Sequence, residues 1–185
     1  MRLDLTPASS SLLLIDMQER FVPAIPAIAE DQPVGRACRQ LLEAARLLGV
    51  PTTISEQYPK GLGATLPYLL AAAPGAARFA KMHFSCVDDL ALRAHLDALH
   101  RMEVVLCGIE THVCVLHTAA DLIAQGRSVV VAADAVASRK DLHRDQALSA
   151  LRDLGALLLP AESIAMRWTR VAGTPLFKQI SALIR

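Results

Sequence analysis

A chain of 185 residues, 53% hydrophobic but only 4% aromatic, has the length of one domain with a sizeable core, and that core must be aliphatic. A formal net charge of +1 with dispersed basic residues argues against a nucleic-acid binder or a protein held on an anionic membrane. Cys38, Cys86, Cys107 and Cys114 form no Cys-x-x-Cys pair, which argues against a disulfide framework and against zinc or dithiol motifs, and points to a reducing, cytoplasmic compartment.

Residues 1–7 carry Asp4 and Pro7 before any long apolar run, and Leu12–Ile15 is too short for a signal segment or a membrane span. The first strand is expected over residues 11–16, ending in Asp16. A helix follows over 33–49, with Val34, Ala37, Leu41, Leu42, Ala45 and Leu48 at helical spacing and Gly49 as its stop. The second strand is expected at 50–55. Residues 56–75, rich in Gly and Pro, read as a long loop with one helical turn, and such loops are more often functional than idle. A short third strand fits 78–81.

Ser85 with Asp88 three residues on resembles a capping box, which predicts a helix from there to about residue 100. The fourth strand is expected at 103–107, followed by a tight loop at Gly108 and a helix over 113–125 closed by Gly126. A fifth strand at 128–132, a helix at 143–154 closed by Gly155, a sixth strand at 156–159 and a last helix at 176–184 complete the pattern. No internal repeat, low-complexity tract or linker interrupts it, so a single domain over 1–185 is expected.

Alternating strands and helices predict an α/β fold, a Rossmann-like three-layer arrangement with a six-stranded, mostly parallel sheet in the order 3-2-1-4-5-6. Dinucleotide binding on such a fold needs a glycine-rich turn after the first strand. Here the sequence is Asp16-Met17-Gln18-Glu19-Arg20, where no glycine lets a pyrophosphate approach.

Sites in these sheets lie beyond the carboxyl ends of the strands where strand order reverses. Asp16 ends the first strand, Lys81 ends the third and Cys114 follows the fourth, so the topology predicts a carboxylate, an ammonium and a thiol on one rim. Near a helix N-terminus, with a cation beside it, the Cys114 thiol is expected to ionise easily, while Asp16 accepts its proton. The plain alternatives are a buried small hydrophobe for Cys114, a turn former for Asp16 and a structural cation for Lys81.

With these residues in place, Leu13-Leu14-Ile15-Asp16-Met17-Gln18, then Lys81, then Gly108-Ile109-Glu110-Thr111-His112-Val113-Cys114 resemble the isochorismatase-like cysteine hydrolases. That family includes nicotinamidases, N-carbamoyl amidohydrolases and isochorismatases. The resemblance runs along essentially the whole chain in order and spacing. Ser55-Glu56-Gln57-Tyr58-Pro59-Lys60-Gly61-Leu62-Gly63 and Lys81-Met82-His83-Phe84-Ser85 are similar to the isochorismatase-domain-containing subgroup.

The resemblance implies a nucleophile at Cys114, a proton acceptor and donor at Asp16, and a thiolate-stabilising cation at Lys81. It also implies a cis peptide between Ile109 and Glu110, with the backbone N–H groups of Glu110 and Cys114 as an oxyanion hole. A small amide, imide or carbamoyl-like substrate is implied, with a catalytically weak binding or regulatory protein as the alternative. An isochorismatase that cleaves a vinyl ether needs no cysteine nucleophile, so Cys114 weighs against that chemistry.

Two departures from the family stand out. The Asp-x-His metal cluster of nicotinamidases is replaced by Glu56-Gln57-Tyr58, a poor ligand set, so no metal and no cofactor are expected. Position 110 is Glu where many relatives carry a small residue, and its side chain either enters the pocket or pairs with a nearby cation. Candidate substrate contacts are Phe21, with core packing as the alternative, and Gln57, Tyr58, His83 and Phe84. Cys38, Cys86 and Cys107 read as inert thiols. Trp168 and Phe177 read as packing or subunit-contact residues. The partners expected are a small-molecule substrate and further copies of the chain in a homo-oligomer, with no nucleic acid and no membrane.

Overall fold

The computed structural model describes residues 5–184; the expectations for residues 1–4 and 185 lie outside the described residues. Six strands, β1 (Ser10–Ile15), β2 (Thr52–Gln57), β3 (Ala77–Lys81), β4 (Glu103–Ile109), β5 (Ser128–Ala137) and β6 (Leu157–Leu159), form one sheet in the order β3-β2-β1-β4-β5-β6. Every strand pairing is parallel. The chain leaves β1 toward β2 on one side and returns to β4 on the other, so strand order reverses between β1 and β4 as the sequence predicts.

Strand alternation divides the apolar side chains between two faces, and both faces are covered by helices. Leu12, Leu14, Ile54, Val105, Cys107 and Ile109 pack with Val34, Cys38, Leu41 and Leu42 of α1 (Pro33–Leu48) and with Ile164 and Trp168 of α7 (Ala161–Thr169). Leu13, Ile15, Val104, Leu106, Val129 and Val131 pack on the other face. Their partners are Leu92 and Leu96 of α4 (Leu90–Ala98), Ala119 and Leu122 of α5 (Leu116–Ala124), and Leu151 of α6 (Asp141–Asp153). Each fully buried Leu, Ile or Val contributes roughly 1.5–3 kcal/mol, so β1, with every residue buried, anchors both layers. Among the described residues no helix is long and apolar enough to cross a membrane.

The structure corrects several boundaries. β2 starts two residues later than expected because Val50 belongs to the end of α1. Gly49 takes the left-handed conformation, and the Val50 N–H closes back onto the Ala45 carbonyl at 2.8 Å. The 56–75 loop contains two short helices, α2 (Pro59–Leu62) and α3 (Pro67–Ala72), each opened by a proline that needs no donor there. The capping box at Ser85 does not form. Asp89 caps α4 instead, accepting from the N–H groups of Ala91 and Leu92 at 3.2 and 3.1 Å. Residues 82–89 stay outside any helix, and the carbonyls of His83 and Phe84 are drawn to the Lys81 ammonium.

β5 runs on to Ala137 through a bulge, where its register with β4 jumps from Leu106↔Val131 to Gly108↔Val136. Asp134, in that bulge, accepts the Ala161 N–H at 2.7 Å at the start of α7, a helix the apolar pattern did not reveal. The last helix, α8 (Pro175–Ile184), begins one residue earlier than expected.

Candidate active site

The rim at the carboxyl ends of β1, β2 and β3 follows from the parallel register. Ile15 pairs with Ser55 and Gln57 pairs with Lys81, so the residues that close these strands emerge at one edge. Asp16 turns out of β1 with φ 52°, its own N–H bonded to the Ser55 carbonyl at 3.1 Å. One carboxylate oxygen accepts the Ser55 hydroxyl at 2.7 Å and the other accepts the Lys81 ammonium at 2.8 Å. Both charged side chains are essentially sealed from solvent, at 0% and 1% exposure.

Lys81 is held from several sides. Besides Asp16 it donates to Gln57 Oε1 at 2.6 Å and faces the carbonyls of His83 and Phe84, each at 3.2 Å. Burial, the largest single influence, works against its charge, but the Asp16 carboxylate with its hydrogen bond and the neighbouring thiols of Cys86 and Cys114 together outweigh it, and the ammonium titrates above its ordinary range. It is therefore a fixed cation throughout the neutral range.

Cys114 reaches this pair from the other side of β1. β4 lies beside β1, with Ile15 opposite Gly108, and Gly108 is required there. At φ +112° a side chain is strained, and a Cβ would stand 2.1 Å from the Ile15 carbonyl oxygen. The Ile109–Glu110 peptide is cis. Thr111–Val115 then forms a π-helical turn rather than the start of an α-helix, and Cys114 is its fourth residue.

The Cys114 thiol lies close enough to Asp16 and Lys81 to feel both charges. Its titration corrects an expectation. Burial first, and then the Asp16 carboxylate, push the thiol well above its usual range, and Lys81 only partly opposes them. The physical reason is that the Lys81 charge is already matched by Asp16 at 2.8 Å, and the first turn of α5 lies beyond the thiol. At rest Cys114 is a protonated thiol beside a buried carboxylate.

The remaining candidates divide. Gln57 is at the rim, but its amide is committed: Oε1 to Lys81, and Nε2 to the Met82 carbonyl at 2.9 Å. Tyr58 is exposed, with its ring over Gly61, where a Cβ would come within 2.2 Å of that ring. His83 and Phe84 expose their side chains while their carbonyls face Lys81. With Met82, Ser85, Asp88 and His117 they line a groove of about 520 Å³. Phe21 packs half-buried against the core that holds Met17 and Ile25.

Glu110 does not stand free. Its carboxylate accepts the Arg139 backbone N–H at 2.9 Å and Arg139 Nε at 3.0 and 3.1 Å. Glu56, at the place of the nicotinamidase metal cluster, accepts the N–H and hydroxyl of Thr65 at 2.8 and 2.7 Å and so serves as a loop clamp. Among the described residues no group of three or more His, Cys, Asp or Glu is arranged to hold a metal.

Sequence reasoning missed Ser55, Gln18 and Arg139, while Cys86, read as an inert thiol, is fully buried. Ser55 was legible in principle as the polar residue opposite Ile15 in a buried strand. Gln18 is fully buried, and its amide bonds the Gln57 backbone N–H at 2.8 Å and the carbonyls of Gln57 and Gly63 at 3.0 and 2.7 Å. Cys86 sits against Thr118, whose hydroxyl accepts its N–H at 2.9 Å, and burial first, then Asp16, push its thiol up to about 11.

With this geometry described, comparison with known proteins is informative. An isochorismatase domain model matches residues 10–163. Isochorismatase domain-containing protein 2A of Mus musculus is 43% identical over 180 residues, which cover 97% of this chain and 84% of the mouse protein. Among solved structures, the MAR1 ribonuclease of Caenorhabditis elegans superposes with a TM-score of 0.89 at 37% identity, covering 97% of this chain and 91% of the nematode chain. The YcaC gene product of Escherichia coli, an octameric hydrolase of unknown specificity, shares the fold with a TM-score of 0.88 at 22% identity, over 100% of this chain and 88% of its own.

Proposed function

This chain belongs to the isochorismatase family, and from that premise we propose that it is a cysteine hydrolase cleaving the C–N bond of a small amide, imide or carbamoyl-like substrate. The observation that carries this reading is the buried Asp16–Lys81 pair, 2.8 Å apart, beside the thiol of Cys114. In this mechanism the Cys114 sulfur forms a bond to the substrate carbonyl carbon as its proton passes to Asp16. The carbonyl π pair moves onto oxygen, which the backbone N–H groups of Glu110 and Cys114 stabilise. Collapse of that intermediate breaks the C–N bond, and Asp16 returns the proton to the leaving nitrogen.

Water then attacks the thioester with Asp16 again as base, the acid product leaves, and the sulfur regains its proton. Lys81 stays charged throughout and pairs with Asp16 between transfers. No cofactor enters these steps. The same reading makes the chain a single cytoplasmic domain over residues 1–185. It further makes the chain a homo-oligomer, a view that likeness to the octameric YcaC protein supports.

A second reading, a catalytically weak protein that binds or regulates, is favoured by one observation: Cys114 is only 6% exposed. RNA cleavage, taken from the name of the nematode relative, finds little support in a net charge of +1 with dispersed basic residues. The test is ammonia release from a panel of small amides, imides and carbamoyl compounds by the wild-type chain and by Cys114→Ala, with an RNA oligonucleotide as a further arm. Turnover by the wild type that Cys114→Ala abolishes is expected. A stable Cys114 adduct without turnover would establish the binding reading, and RNA cleavage that survives Cys114→Ala would overturn both.

A further inference from the structure

We infer that Gln57 is a positioning residue for Lys81 rather than a substrate contact, and that Gln18 fixes it in that role. The inference rests on the reading of Asp16, Lys81 and Cys114 as the reacting group. An ammonium has three N–H donors, and four oxygens already surround Lys81 Nζ: Asp16 Oδ2 at 2.8 Å, Gln57 Oε1 at 2.6 Å, and the carbonyls of His83 and Phe84 at 3.2 Å. No donor is left for a substrate oxygen. Lys81 acts through the place of its charge, and whatever sets that place sets the charge felt by Asp16 and Cys114.

Gln57 has the shortest of these contacts. It is the cross-strand partner of Lys81 in the parallel β2–β3 pair, so the two side chains leave the same face of neighbouring strands. Its amide can face only one way. Oε1 meets the ammonium and Nε2 donates to the Met82 carbonyl at 2.9 Å; turned over, the NH2 group would confront the cation and the oxygen would confront a carbonyl. Each polar end already has a partner within the protein, so the orientation of the amide is set by Lys81 and Met82 rather than by a substrate.

Gln18 completes the arrangement two residues beyond Asp16. β1 pairs with β2 as far as Ile15↔Ser55, and there the main-chain ladder stops. The Gln18 side chain replaces the next rung: its Oε1 accepts the Gln57 N–H at 2.8 Å, and its Nε2 donates to the Gln57 carbonyl at 3.0 Å and to the Gly63 carbonyl at 2.7 Å. Fully buried, this amide ties the segment that carries Asp16 to the one that carries Gln57. The two partners of Lys81 therefore keep one spacing.

The consequence is electrostatic and can be read without a substrate. Gln57→Glu adds a carboxylate against Lys81, which cancels part of the charge that lowers the Cys114 thiol. A neighbouring anion of this kind raises a thiol pKa by about one unit, so iodoacetamide should alkylate Cys114 roughly tenfold more slowly than wild type at each pH below the thiol pKa. Gln57→Met, which removes the acceptor and adds no charge, should lower kcat on whichever amide the panel yields while KM moves less than twofold.

Peptide mapping of alkylated Cys114 in folded protein, with circular dichroism to establish folding, decides the first arm. That arm stands whether or not any amide is hydrolysed, so failure of the hydrolase reading is separable from failure of this one. An unshifted alkylation profile in Gln57→Glu overturns the inference, as does a rise in KM with kcat unchanged in Gln57→Met, the signature of a substrate contact.

Discussion

Asp16 and Lys81, 65 residues apart in sequence, meet at 2.8 Å with neither side chain more than 1% exposed. A buried pair is a poor source of net stability, but removal of one partner leaves an uncompensated charge. Lys81→Met should therefore destabilise the fold by about 3–5 kcal/mol, read by urea denaturation. The double variant Asp16→Asn/Lys81→Met should lose less than the sum of the two single losses, since neither charge is then stranded. Strict additivity would show that the pair is not coupled as its geometry requires.

The raised thiol of Cys114 sets the pH dependence of its reactivity. Thiolate is the reactive form, so the rate of iodoacetamide alkylation should climb through pH 7–9 without a plateau. Lys81→Met should slow it by about tenfold, because the Lys81 charge pulls the thiol down. Cys114, at 6% exposure against 0% for Cys38, Cys86 and Cys107, should be labelled first. A rate already level at neutral pH would mean a pre-formed thiolate and contradict the burial argument.

Stability should fall in alkali for a related reason. Cys86 titrates at about 11 in the fold against an ordinary 9.0, so the unfolded chain gives up this proton first. The stabilising difference is full below pH 9 and is lost as pH rises toward 11. A gap of this size is worth roughly 2–3 kcal/mol for a fully buried thiol. Lys81, whose titration also lies above its ordinary value of 10.5, adds a loss of the same sign at still higher pH. Denaturant midpoints at pH 8 and pH 10.5 check this, and Cys86→Ala should reduce the difference between them without removing it, since the thiols of Cys114 and Cys38 are raised in the same direction.

Gly108→Ala tests the close approach of β1 and β4. The added Cβ would lie 2.1 Å from the Ile15 carbonyl oxygen and 2.7 Å from the Ile15 nitrogen at φ +112°, both backbone atoms of the paired strand rather than the end of a flexible side chain. The variant should lose about 3 kcal/mol or more, or fail to fold. A thermal midpoint within a few degrees of wild type would show that the two strands can separate at the site.

Arg139→Ala removes the cation that pairs with Glu110. Arg139 is 60% exposed, so solvent screens much of the attraction, and the expected cost is about 1 kcal/mol. The Glu110 carbonyl accepts the N–H groups of Val113 and Val115, which flank Cys114, so hydrogen exchange at those two amides should quicken more than elsewhere. Unchanged exchange there would show that the pair does not support the turn that carries the thiol.

The sequence by itself determined the sheet and the rim. Apolar runs bounded by Gly and Pro and alternating with helical spacing admit little besides a parallel sheet covered on both faces. In such a sheet Asp16 and Lys81 must emerge at one edge, because parallel strands end on the same side. It did not determine which residues close each element. Val50 reads as strand by its own preference and is claimed by the end of α1, while Ser85 reads as a cap and is displaced when the neighbouring carbonyls turn to Lys81.

Nor did it determine the state of Cys114, the partner of Glu110 or the task of Gln57. Those depend on burial and on contacts between distant segments: Arg139 reaches Glu110 from 29 positions away, and Lys81 reaches Gln57 from 24. Periodicity records which face a residue takes, since that is set by neighbours in the chain. A thiol's charge is set by the solvent it loses and the ions it meets, and only the packed structure brings those together.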